Sequence, residues 1–205
     1  MTRLLIMGPP GSGKGTQAVR IADKMAIPAI STGDIFRYNV KELTELGREA
    51  KSYIDSGNFV PDDVTNRMVA DRLNQSDVAH GFLLDGYPRT SGQVEALSEM
   101  LQNQGEILTA VLVLEVPDEE IVERLLARAE TEGRSDDTEE VIKRRLELYH
   151  QETSDLIEAY LELGIVGRVD GTGAIDDITE RLLQTIYNIR ARTGTLPAVK
   201  PRNEK

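Results

Sequence analysis

Five short apolar runs are spaced along the chain: RLLIM at 3–7, IPAI at 27–30, GFLLD at 81–85, TAVLVLEV at 109–116 and IVGRVD at 165–170. Each is too short for a helix, which marks it as a candidate buried strand. Between them apolar positions recur with helical spacing over 16–25, 62–74, 93–104, 118–129 and 138–163. This alternation predicts an α/β fold, a five-stranded and mostly parallel sheet joined by right-handed crossovers and flanked by helices. The pattern over 138–163 reads as one long helix. Asp137 and Glu140 form its capping box, Val141, Ile142, Leu146, Tyr149, Leu156, Ile157 and Tyr160 its apolar face, and Gly164 its stop.

Two stretches break the alternation. Residues 31–60 hold a helical segment that runs to Ser56 without reaching a strand, and ARAETEGRSDD at 127–137 places a polar turn between two helices. Both read as small mobile insertions on the ligand-binding edge of a core formed by 1–30, 61–126 and 138–191. The tail 192–205, with two prolines and mixed charge, reads as a frayed terminus.

Composition narrows the class. A chain of 205 residues suits one well-filled core. Its net charge of -11 argues against a nucleic-acid surface, which needs many Lys and Arg at phosphates, so any basic cluster must be local. With no cysteine, disulfides and thiolate zinc sites are excluded. Arg3 is followed by only four consecutive apolar residues before glycine begins, too few for a signal-peptide core, and no stretch approaches a membrane span. The expectation is a cytoplasmic protein without membrane partners, with monomer as the default state.

Directly after the first apolar run comes GPPGSGKGT, residues 8–16, too rich in glycine and proline for the interior of a strand or helix. A strand, a glycine-rich turn and a helix opening at a lysine form the arrangement in which backbone N–H groups and a helix N-terminus surround phosphate oxygens. Gly8, Gly11 and Gly13 leave the backbone open to an anion, and Lys14 supplies a mobile positive charge. Their spacing is that of G-x-x-x-x-G-K. One position departs from the usual pattern: Gly15 stands where a magnesium-holding Ser or Thr is expected, and the hydroxyl follows at Thr16. A dinucleotide fingerprint would need a third glycine at position 16.

Further segments join this loop in order: STGDIFR at 31–37, GFLLDGYPRT at 81–90 with Gln93 beyond it, and GRSDD at 133–137 followed by Arg145. Together, from Thr2 to Gly173, they resemble the adenylate kinase family of nucleoside monophosphate kinases. The resemblance implies a P-loop NTPase-type sheet and transfer of a phosphoryl group from ATP to AMP, giving two ADP, with Mg2+. Such transfer concentrates negative charge on a moving group, so arginines must converge from several elements. The candidates are Arg37, Arg89, Arg124, Arg128, Arg134 and Arg145, with Arg124 and Arg128 four apart on one helix face.

By resemblance, Gly11, Ser12, Gly13, Lys14, Gly15, Thr16, Arg124, Arg128 and Gly173 form the ATP side. Thr32, Arg37, Asn58, Phe59, Val60, Gly86, Tyr87, Pro88, Arg89 and Gln93 form the AMP side, with a cis Tyr87–Pro88 bond in the turn that carries Arg89. Arg134 and Arg145 close over the transferring group. The implied catalytic set is Lys14, Arg89, Arg124, Arg134 and Arg145. The brief 127–137 segment implies the family's short lid, which holds no zinc.

Asp85, at the end of the GFLL run, is placed to orient magnesium-bound water, although Asp-Gly is also a common turn pair. Asp34 reads equally as a helix N-cap. Asp136 and Asp137 read as partners of the lid arginines, or in the case of Asp137 as a cap. His80 and His150 lie outside the motifs. Thr32 and Thr90, where a UMP/CMP kinase would have alanine and asparagine, resemble the AMP-specific branch. A GTPase-type switch would want an Asn-Lys-x-Asp motif, and the chain contains no Asn-Lys pair. A binding module without turnover is excluded only by a turnover assay.

Overall fold

The five apolar runs form five parallel strands: β1 (Thr2–Met7), β2 (Ala29–Ser31), β3 (Gly81–Asp85), β4 (Ala110–Glu115) and β5 (Val166–Asp170). The computed structural model describes residues 1–132 and 138–194. Neighbours Leu4 and Leu5, Leu83 and Leu84, and Val111 and Leu112 are all wholly buried, so both faces of the sheet are covered. That is why the runs are continuously apolar and not alternating. β2 enters the ladder later than the IPAI run suggests. Pro28 has no N–H to give and contributes only its carbonyl, which accepts from the Leu83 N–H at 2.9 Å.

The strand order is β2-β3-β1-β4-β5. The chain runs from β1 out to β2, back to β3, then across β1 to β4 and β5. This reversal opens a crevice at the carboxyl ends of the central strands. In register, Ile6 stands opposite Asp85, so β3 delivers Asp85 beside the loop that begins at Gly8.

The helices among the described residues are α1 (Lys14–Met25), α2 (Thr32–Lys41), α3 (Glu45–Asp55), α4 (Asp62–Leu73), α5 (Ser91–Asn103), α6 (Asp118–Glu132), α7 (Glu139–Leu148), α8 (Leu156–Leu161) and α9 (Ile175–Thr193). None is long and apolar enough to cross a membrane. Buried Gln17 fixes α1 to α9: its amide donates to the Ile175 carbonyl at 3.0 Å and accepts from the Thr179 hydroxyl at 2.7 Å.

Three local expectations are corrected. The stretch 31–60 contains two helices, because Leu43 takes a left-handed φ of 53° and Thr44 starts α3, its hydroxyl accepting from the Gly47 N–H at 3.0 Å. The N-cap of α2 is Ser31, whose hydroxyl accepts from the Asp34 N–H at 3.2 Å, so Asp34 is not the cap. Residues 138–163 are not one helix. Thr138 caps α7, its hydroxyl accepting from the Val141 N–H at 3.4 Å, and Tyr149–Thr153 form a widened π turn before α8. Gly164 acts as expected just past α8, with φ of 67°. Asp137, the expected cap, lies outside the described residues.

Most apolar side chains join one core around the sheet. Ile121, Leu125 and Ile142 form a second cluster, with Val116, Val122 and Leu146 against it, which holds α6 to α7.

Helices α2 and α3 approach so closely that a Cβ on Gly47 would lie 2.0 Å from the Asn39 carbonyl oxygen. Gly47→Ala is therefore expected to force the pair apart at a cost of about 1–3 kcal/mol. Urea denaturation and amide exchange within 32–55 check this; unchanged protection there would refute it.

Candidate active site

The loop between β1 and α1 ends at Gly13, which has a left-handed φ of 91° and no side chain to cap the helix. The first N–H groups of α1 have no acceptor within the helix and are open to an anion. Gly11, Ser12, Gly13, Lys14, Gly15 and Thr16 line an open cleft of about 1490 Å³. The same cleft is lined by Arg37, Asp85, Gly86, Arg89, Arg124, Arg128, Arg145 and Gly173. The structure thus brings together the residues the sequence assigned to the phosphates, except Arg134, which with Asp136 lies outside the described residues.

Arg124 is held by three acceptors: the Ser12 carbonyl at 3.3 Å, the Gly171 carbonyl at 3.0 Å and the Glu120 carboxylate. It joins the phosphate loop to the β5–α9 loop.

Lys14 donates to the Pro9 carbonyl at 2.6 Å. Burial pushes its ammonium down to about 8; Asp85 opposes the shift, and Arg89, Arg145 and Arg128 add to it. Burial likewise raises the Asp85 carboxyl above the usual range, against the pull of Lys14 and Arg89. Desolvation therefore outweighs mutual attraction for both groups.

The Asp85 carboxylate faces the start of α1, since a Cβ on Gly15 would lie 3.6 Å from its Oδ2. Among the described residues no group of three or more His, Asp or Glu could hold a metal by itself. One carboxylate beside a phosphate loop fits Mg2+, which keeps several waters and takes other ligands from substrate phosphates.

A second, partly open cavity lies beneath the 31–60 insertion. Thr32, Arg37, Asn58, Phe59, Val60, Gly86, Arg89, Gln93 and Arg145 line it, as do Phe36, Ile54 and Thr65. Tyr87 and Pro88 line the space between it and the phosphate loop, with Lys14, Phe59, Tyr149 and Thr153. Gly86, Arg89 and Arg145 border all three spaces. The Thr32 hydroxyl donates to the Gly86 carbonyl at 2.9 Å and so ties α2 to the turn after β3.

Arg89 is aimed by that turn. Its Nε donates to the Gly86 carbonyl at 2.8 Å, and its guanidinium carbon lies 5.3 Å from the Phe59 ring centre. The Tyr87–Pro88 bond is cis. Arg37 pairs with Asp34, an exposed type of pair worth under about 1 kcal/mol and weaker than charge-assisted bonds to phosphate.

Several lining residues escaped the sequence reasoning. Phe36 and Ile54 were visible as apolar positions in a segment with no strand to bury them. Tyr149 and Thr153 reach the site through the π turn, for which the sequence carries no signal; the Thr153 hydroxyl donates to the Arg89 carbonyl at 3.0 Å. His150 sits 3.5 Å from Asp118 and His80 is exposed, and neither lines these spaces.

Comparison with known proteins bears on this arrangement. The family model described as adenylate kinase matches residues 6–165. An adenylate kinase of Micrococcus luteus is 70% identical over 201 residues, 98% of either chain. One of Renibacterium salmoninarum is 60% identical over 191 residues, covering 93% of this chain and 99% of its own. One of Nocardia farcinica is 50% identical over 184 residues, covering 90% and 98%.

The depressed Lys14 predicts proton uptake on phosphate binding. With its pKa at about 8 the free protein holds roughly half a proton there at pH 8, and a bound polyanion restores the rest. Uptake is expected to be near zero at pH 6.5, about half a proton at pH 8 and larger at pH 9. Calorimetric titration with a non-hydrolysable ATP analogue in buffers of different ionisation enthalpy measures it. Lys14→Met should abolish the uptake, and equal uptake in the variant would assign the proton elsewhere.

Proposed function

The chain belongs to the adenylate kinase family and is a phosphotransferase, and we propose that it transfers the terminal phosphoryl group of ATP to AMP, reversibly giving two ADP. The observation that carries this reading is that the phosphate-loop cleft and the acceptor cavity meet on shared arginines, Arg89 and Arg145. A switch or binding module needs only one phosphate site.

In this reading an AMP phosphate oxygen attacks the γ-phosphorus in line, and the bond from that phosphorus to the oxygen bridging it to the β-phosphate breaks. The attacking oxygen is already anionic, so no general base is required. Lys14 follows the terminal phosphates, Arg124 and Arg128 hold the ATP side, and Arg37 and Arg89 hold the acceptor phosphate. Arg145, with Arg134 by resemblance, neutralises the moving group. Asp85 is the residue that would hold Mg2+, which when bound would supply further charge neutralisation on the triphosphate. Thr32, Asn58, Phe59, Val60 and Gln93 form the base pocket.

Segments 31–60 and 127–137 are the moving parts, with 1–30, 61–126 and 138–191 as the core. Adenylate kinase lids are a standard example of closure that keeps water from taking the phosphoryl group. Such an enzyme serves adenine nucleotide homeostasis as a cytoplasmic monomer acting on small nucleotides.

Product analysis with Mg-ATP and, separately, AMP, UMP, CMP or GMP tests the reading. Fast ADP formation with AMP alone is expected, and Arg89→Ala should lower kcat by about 100-fold or more with its melting temperature unchanged. Transfer to UMP or CMP would overturn the acceptor, and no transfer to any would leave a binding module. Labels in 31–60 and 127–137 should approach one another on binding a bisubstrate analogue; an unchanged distance would remove the proposed closure.

A further inference from the structure

Gln93, in the first turn of α5, is buried at the wall of the acceptor cavity. The two ends of its amide have opposite chemistry, and each is held by a partner that permits only one. Its oxygen accepts from the Arg89 backbone N–H at 2.8 Å, a group that can only donate. Its nitrogen donates to Asp62 Oδ1 at 2.7 Å, and an ionised carboxylate can only accept.

The carboxylate is itself held. Asp62 Oδ2 accepts from the Thr90 hydroxyl at 2.7 Å, and the oxygen of that hydroxyl accepts from the Gln93 backbone N–H at 3.2 Å, closing a ring. The space around it is tight: a Cβ on Gly92 would stand 3.0 Å from Asp62 Oδ2. In the sequence Asp62 stood out only as the start of a helix.

We propose that Asp62 is a specificity-determining positioning residue, which locks the Gln93 amide in the orientation that recognises a 6-aminopurine and refuses a 6-oxopurine. The proposal rests on the reading that this cavity takes the base of a nucleoside monophosphate. After its two fixed bonds the amide retains one N–H and one oxygen lone pair. Adenine sets a 6-amino donor beside a ring-nitrogen acceptor, which an amide meets with its oxygen and its N–H. Hypoxanthine and guanine reverse the pattern, with an oxygen at position 6 and an N–H at position 1. To serve them the amide must flip, turning its NH2 toward the Arg89 N–H and its oxygen toward the Asp62 carboxylate. Two buried hydrogen bonds would become two like-to-like contacts.

The test compares kcat and KM for AMP and for IMP, with Mg-ATP, in the wild type, Asp62→Asn, Gln93→Met and the double variant. An Asn at 62 can donate as well as accept, so the lock is released. The AMP-to-IMP ratio of kcat/KM is expected to fall about tenfold, mainly through a higher KM for AMP, while KM for ATP stays within about twofold. In the Gln93→Met background the same substitution should move the ratio by less than about twofold, because its effect passes through the amide. An unchanged ratio in a folded Asp62→Asn variant overturns the proposal. So does an equal shift in both backgrounds, which would make Asp62 a structural support for α4 and α5. Should Asp62→Asn melt below the assay temperature, Thr90→Val, which releases the second carboxylate oxygen, must lower the ratio by about threefold. A wild type that uses AMP and IMP equally sinks this proposal alone, whereas one that uses neither sinks the functional reading on which it rests.

Discussion

Lys14, at the start of α1, and Asp85, at the end of β3, share a cleft where burial disfavours the charge of both more than their attraction restores it. Much of the fold is arranged around that imbalance. The reversal of strand order at β1 brings the phosphate loop beside the end of β3. Arg89 arrives on the turn after β3, Arg124 and Arg128 on α6, and Arg145 on α7, so positive charge accumulates where Asp85 only partly offsets the lysine. In a chain of net charge -11 this is a local inversion of sign. Low-dielectric walls focus such a field, and a polyanion accompanied by a divalent cation would satisfy both half-buried groups at once.

How much of this was legible in the sequence follows from how local each cause is. The strands were readable because burial on both faces leaves no room for polar residues in Leu4–Met7 or Val111–Leu114. The phosphate loop was readable because the need for bare backbone and one lysine is written in consecutive residues. Helix breaks were not. The hydrophobic period runs on through Leu43 and through Tyr149–Thr153, and what interrupts it is a left-handed residue in one place and a widened turn in the other. Thr44 and Thr138 are caps that could have marked two of the true helix starts, but Asp137 and Glu140 offered an equally good capping pattern one residue earlier. Asp62 escaped notice because its partners Thr90 and Gln93 lie 28 and 31 residues away and meet it only after the sheet has formed.

The separation of the cores has a mechanical consequence. Ile121, Leu125 and Ile142 pack as a group of their own, so the first half of α6 and the start of α7 are joined to each other through contacts outside the main core. Helices α2 and α3, by contrast, are close-packed through Gly47 and also share the main core through Phe36 and Ala50, with the bond from Thr32 to Gly86 linking them to the sheet. An element held mainly by internal contacts can move as a body without disturbing the main core, whereas dense packing on the sheet resists any such displacement.

The two sides of the cleft also differ in how firmly their cations are fixed. Arg124 is tethered to two backbone carbonyls and a carboxylate, and Arg89 to the turn that bears it and to the face of Phe59. Arg37, on the insertion, pairs with Asp34, whose side chain is 68% exposed. Donors fixed in advance stabilise charge without reorganisation, while a cation held by an exposed partner must exchange that partner for the ligand. Arg124 and Arg89 are therefore held in place by the fold itself, whereas Arg37 rides on the 31–60 stretch beside an exposed carboxylate. If 31–60 closes as proposed, coupling that exchange to closure would make the full set of cations available only with both nucleotides in place, the condition under which transfer to water is suppressed.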